Sequence, residues 1–159
     1  MANYILHIGI DDCHRAAVLR SAGYDVEECA SLQQLVTALD EMPGADAVIL
    51  SESENIVPEL VSRLVRGRSA APAIFFCRSN CRVSTEDFDL VIPPLTPPET
   101  WLKQASSLLE RLRMVRAQAK SLTDQAGSPG LNKNVVRRPP IRERELSVRD
   151  RMRSSSPDS

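Results

Sequence analysis

Aromatic residues make up only 4% of this 159-residue chain, and none follows Trp101. The last third therefore has no ring on which a nucleic-acid base could stack. No apolar run approaches the roughly 20 residues of a membrane-spanning helix, so no membrane association is expected. The start, Met1-Ala2-Asn3-Tyr4, lacks the basic region and apolar stretch of a signal peptide, and a cytoplasmic location is the expectation. Cysteine and histidine are scarce: Cys13, Cys29, Cys77 and Cys81, with His7 and His14. Without a paired C-x2-C motif they make neither a disulfide framework nor a strong zinc signature. Base is outnumbered in the first 110 residues, which carry 8 Lys and Arg against 16 Asp and Glu, a balance of −8. The other 12 basic and 5 acidic residues follow, a balance of +7, so an acidic body precedes a basic remainder.

What is present is a series of short apolar runs separated by turns. The most informative is Ala45 to Glu54, ADAVILSESE, whose core Ala47 to Leu50 reads as a buried parallel strand. Such a strand delivers its next residue, Ser51, to the carboxyl edge of a sheet, where open α/β folds place their chemistry. Before it, Tyr4 to Ile8 reads as a first strand, His14 to Ser21 as a short helix stopping at Gly23, and Gly23 to Glu27 as a second strand. Ser31 can cap a second helix through Leu32, Leu35, Val36 and Leu39, ending before Pro43-Gly44. After it, Pro58 opens a third helix with Leu60, Val61, Leu64 and Val65 on one face. Ala73 to Cys77 and Leu90 to Ile92 read as the fourth and fifth strands. The dozen residues between them lack a 3.6 period, so a fourth helix there is short or absent. Thr96-Pro97-Pro98-Glu99 has capping-box spacing and opens a last helix through Trp101, Leu102, Ala105, Leu108, Leu109 and Leu112, running to about Ala126.

Strands alternating with helices give an α/β fold with right-handed crossovers, a flavodoxin-like doubly wound sheet of five parallel strands in the order 2-1-3-4-5. The expected division is a domain over residues 1–113, a helical extension over 114–126, and a disordered Arg/Ser/Pro-rich tail over 127–159 that cannot bury enough surface to order itself.

The element order, the Gly-Tyr approach to strand two, Asp46-Ala-Val-Ile-Leu, the Pro-led fourth strand and Pro-Pro-Leu-Thr-Pro-Pro-Glu together resemble a CheY-like response-regulator receiver domain over residues 3–113. That resemblance implies signal transduction in a phosphorelay, with protein partners such as a histidine kinase or another regulator, or a second copy. It also implies an acid pair for Mg²⁺ after strand one, a phosphoacceptor Asp after strand three, Ser or Thr after strand four, and Lys after strand five. This chain offers Asp11 and Asp12 for the acid pair, or Gly9 and Ile10 in those places; Ser51 for the acceptor; Cys77 for the hydroxyl; and Pro93 for the lysine. A serine hydroxyl without a general base is no nucleophile at neutral pH, so the implied module is a degenerate one, without catalysis, cofactor or bound metal.

Two other readings compete. One is a metal or redox switch on Cys13, Cys29, Cys77 and Cys81 beside His14, against the plainer reading of small buried apolar residues. The other is non-specific nucleic-acid binding through Arg137, Arg138, Arg142, Arg144, Arg149, Arg151 and Arg153, against a solubilising or self-docking tail.

Overall fold

Five of the apolar runs become strands and four of the longer patterns become helices in the computed structural model, which describes residues 3–42, 44–78, 83–84 and 86–126, with side chains to residue 123. The order is β1 (Tyr4–Gly9), α1 (Arg15–Ser21), β2 (Asp25–Cys29), α2 (Leu32–Glu41), β3 (Ala47–Ser51), α3 (Pro58–Arg68), β4 (Ala73–Phe76), β5 (Leu90–Ile92) and α4 (Pro98–Ala126). The sheet runs β2-β1-β3-β4-β5 with every pairing parallel.

Burial follows position in the sheet. All five residues of central β3 are buried, whereas edge strand β2 buries only Val26 and Cys29 and leaves Asp25, Glu27 and Glu28 in solvent. Alternate strand residues build two cores. Leu6, Ile8, Val48, Leu50 and Phe75 meet α2 and α3, while Ile5, Ile49, Ile74 and Phe76 meet α1 and α4 through Leu19, Trp101, Ala105 and Leu109. Phe75 stacks on Phe88 at 5.0 Å, and Phe76 meets Trp101 edge-on at 5.2 Å. Each such aromatic contact contributes about 1 kcal/mol beyond its buried area.

The structure moves several expected boundaries. β2 starts at Asp25 and reaches Cys29, because its register is set by β1, with Tyr4 opposite Asp25 and Ile8 opposite Cys29. Thr96 does not complete a capping box; its hydroxyl donates to the Pro93 carbonyl at 2.7 Å, and the helix begins at Pro98. Among the described residues between Phe76 and Leu90 there is no helix. The segment leading into β5 is instead fastened to α3: Ser62 donates to the Asp87 carbonyl, Arg66 donates to the Glu86 carbonyl at 2.9 Å, and Phe88 fills the core beneath. Those bonds supply partners that a packed helix would otherwise bring. The last helix runs unbroken through Arg113, and every residue from 113 to 123 is exposed. The expected tail lies outside the described residues.

Candidate functional site

The carboxyl edge of the sheet is built by the residues that end β1, β3 and β4. Gly9 closes β1 directly opposite Ser51. Its φ of +107° is open to glycine, and a Cβ there would fall 2.0 Å from the Ser51 carbonyl oxygen, so the two strands can end side by side only because residue 9 has no side chain. Ser51 ends β3 and is completely buried. Period-two alternation sends its hydroxyl to the α1/α4 face, the face that also receives His7 and Phe76.

There the hydroxyl has two partners. His7 Nε2 lies 2.9 Å from Ser51 Oγ, and Arg15 Nη1 donates to the same oxygen at 3.2 Å. The Arg15 guanidinium also lies over the Phe76 ring at 4.7 Å, which in turn meets Trp101. His7 is 1% exposed, and burial lowers its pKa below 6.5, with the Asp11 and Glu28 charges opposing that shift and Arg15 and Arg20 adding to it. A neutral imidazole, a hydroxyl and a stacked guanidinium thus occupy the end of β3. In the sequence His7 is one residue of the first strand and Arg15 one of the short helix; their links to Ser51 span 44 and 36 positions, so no local spacing could disclose them.

The two acids do different work. Asp11 accepts from the backbone N–H of Arg15 at 2.7 Å and of Ala16 at 2.9 Å, satisfying the first donors of α1. His14, in the left-handed region at φ 52°, offers no side-chain cap, so Asp11 takes over that role. Asp12 pairs with Arg78 at 2.9 Å on the surface. Arg78 also donates its backbone N–H to Glu52 at 2.5 Å, tying the ends of β3 and β4 together. Pro93 is exposed just past β5, and Cys77 is buried just past β4.

Among the described residues Cys13 and Cys29 line separate cavities. Cys29 lines a cavity of about 430 Å³ with Gly9, Ile10 and Ser53, whereas Cys13 lines another of about 290 Å³ with Arg15, Phe76, Pro93 and Trp101. Burial, reinforced by the Glu27 charge, pushes the Cys29 thiol up to about 11, which makes it a poor thiolate source. Among the described residues no group of three or more His, Cys, Asp or Glu side chains could hold a metal ion. Cys81 and the tail arginines lie outside the described residues.

Solved structures share this architecture. A CheY-like response-regulator receiver domain protein from Methanospirillum hungatei JF-1 aligns over 72% of this chain and 98% of its own, at 16% identity and a TM-score of 0.59. The chain has the receiver fold. The receiver domain of a sensor histidine kinase from Pseudomonas aeruginosa PAO1, solved with magnesium coordinated in its active-site cleft, aligns over 69% of this chain and 99% of its own, at 16% identity and a TM-score of 0.59. A structure described as an adenylate cyclase from Rhodopirellula baltica aligns over 77% and 98%, at 11% identity and a TM-score of 0.66. At these identities the receiver fold is what is shared. No family model and no curated protein matches the sequence. Among the described residues no helix is long and apolar enough to cross a membrane.

Proposed function

We propose that this chain is a non-catalytic receiver-like signalling module, acting by protein–protein contact in a two-component type of pathway in the cytoplasm, and that it is not phosphorylated on a carboxylate. One observation carries the reading: the residue at the end of β3 is a fully buried serine whose hydroxyl is held by His7 and Arg15. Phosphoryl transfer to this edge would need an ionised nucleophile, a divalent cation and a cation for the leaving charge. Ser51 supplies a neutral hydroxyl. His7 stands close enough to act as a base, yet the pair is sealed from solvent and no attacking geometry toward a phosphodonor is open.

The residues present do not fit Mg²⁺. Gly9, without a side chain, stands opposite Ser51, the Asp11 carboxylate is engaged by two backbone N–H groups, and the Arg15 guanidinium already places positive charge at the Ser51 oxygen. On this reading Gly9 and Ile10 take the places of the acid pair, Arg15 substitutes for a cation, and Cys77 and Pro93 remain from the switch positions without its chemistry. Partners are proteins, a histidine kinase or another regulator among them, and the body spans residues 1–113.

Intact mass after incubation with acetyl phosphate and Mg²⁺ tests this directly. The chain is expected to stay unmodified, and a phosphoryl adduct would overturn the proposal.

A further inference from the structure

The second half of α4 has a pattern that the body does not use. Trp101, Ala105, Leu108 and Leu112 recur at alternating steps of four and three, and the same phase continues through Val115, Ala119 and Leu122. The first three are buried against the sheet and Leu112 is half-buried, whereas Val115 and Leu122 are 59% and 65% exposed. A stripe at steps of four and three is the seam of a two-helix contact, with its outer residues here left uncovered. From Arg113 to Ala126 the helix rises about 20 Å at ~1.5 Å per residue.

Charge decides what covers it. Residues 111–123 hold Arg111, Arg113, Arg116 and Lys120 and no acid, on a body that is itself strongly acidic. Arg113 reaches toward Asp46 at 3.9 Å and Arg116 donates to the Ala70 carbonyl, so the helix leaves the sheet past its amino edge. If two copies paired in parallel along this seam, Arg111 at position g would face Arg116 at position e of the other, an unfavourable pair. The seam offers about two heptads, well short of the ~800 Å² per partner of a standard interface, so no reserve of apolar area offsets that repulsion.

We propose that the exposed seam Leu112, Val115, Ala119 and Leu122 binds a partner helix whose own apolar seam is flanked by Asp and Glu. The partner's carboxylates meet Arg111 and Arg116, which flank the seam at g and e, and its apolar residues cover Val115 and Leu122. A groove of about 220 Å³ lined by Arg66, Ser69, Pro72, Asp89 and Leu112 lies beside the seam and extends the contact onto the body. This deepens the protein-contact reading by naming the surface and the partner's chemistry. Labelling by acetyl phosphate reads phosphoryl transfer and is independent of the α4 seam, so either proposal can fail without the other.

The test uses the full chain and two labelled synthetic peptides of three heptads, both with Leu at a and d, one with Glu and one with Lys at e and g. Fluorescence anisotropy is expected to show binding of the Glu peptide only, weakening as salt rises, and at least tenfold weaker for the Val115→Glu/Leu122→Glu variant. Both substitutions sit on exposed positions, and an unchanged denaturation midpoint shows that the variant folds. Equal binding of both peptides, binding of neither, or indifference to the double substitution overturns the proposal. So does a dimer in sedimentation that the variant abolishes, which assigns the seam to a second copy. Co-sedimentation with phosphatidylserine vesicles that the variant abolishes likewise overturns it, assigning the seam to a membrane surface.

Discussion

The end of β3 and the outer half of α4 are opposites within one chain. At the end of β3 Ser51 and His7 are buried and hydrogen-bonded to each other; along the outer half of α4 the apolar side chains of Val115 and Leu122 are mostly exposed. The sheet edge at Ser51 is thus closed and satisfied, and the open apolar surface lies toward the far end of α4. The contrast also separates what stability needs from what binding needs, because unsatisfied apolar surface is costly unless something covers it.

The sharpest break in that contrast comes from paired truncations. Phe75→Ala, in the core between β4 and Phe88, is expected to cost about 3 to 5 kcal/mol, whereas Leu122→Ala is expected to stay within ~0.5 kcal/mol, both read from urea unfolding midpoints. Equal losses would mean that the outer helix packs on the body. Gly9→Ala should rank close behind, at about 3 kcal/mol or more, since its Cβ would meet backbone rather than a movable side chain. A neutral result in the same unfolding assay would show that β1 can end elsewhere.

Ser51→Ala should cost about 1 to 3 kcal/mol, because it leaves buried His7 without its partner. A negligible loss would mean that a relaxed imidazole finds another acceptor. The His7 environment also sets a pH dependence. Its folded pKa is lowered from 6.5, so as the pH falls through about 6.5 the unfolded chain takes up a proton that the folded chain refuses. Stability from this group is therefore full above that point and declines below it, until the lower folded pKa is reached. Unfolding midpoints measured between about pH 8 and pH 5 should fall, and His7→Gln should flatten that part of the slope. Smallest are the two acids. Asp11→Ala, which uncaps α1, is expected to cost about 1 kcal/mol, and Asp12→Ala, which removes one half-exposed ion pair, about 0.5 kcal/mol or less. A reversed order in thermal melts would show that the Arg78 pair holds the loops together.

Elements were legible where one local pattern dominates. The apolar run of β3, the Ser31 cap with its hydroxyl accepting from Gln34, and the long period of α4 all follow from neighbours within one or two turns. Boundaries were less so: β2 is shifted because β1 sets its register, and Thr96 turned to Pro93 instead of to the helix. Asp11 and Asp12 could be named as candidates through the receiver resemblance, but which of them caps a helix and which meets Arg78 depends on where the chain turns after β1.

By itself the sequence determined the order of elements, the parallel sheet with Ser51 at its carboxyl edge, and the change from an acidic body to a basic remainder, because periodicity, turn residues and charge are properties of nearby positions. Only the tertiary structure decided that His7 and Arg15 close over Ser51, that Gly9 must lack a side chain, and that the apolar stripe of α4 outruns the sheet it packs on. Each of those depends on strands and helices tens of residues apart meeting at distances of a few ångströms, and local pattern carries no record of that meeting.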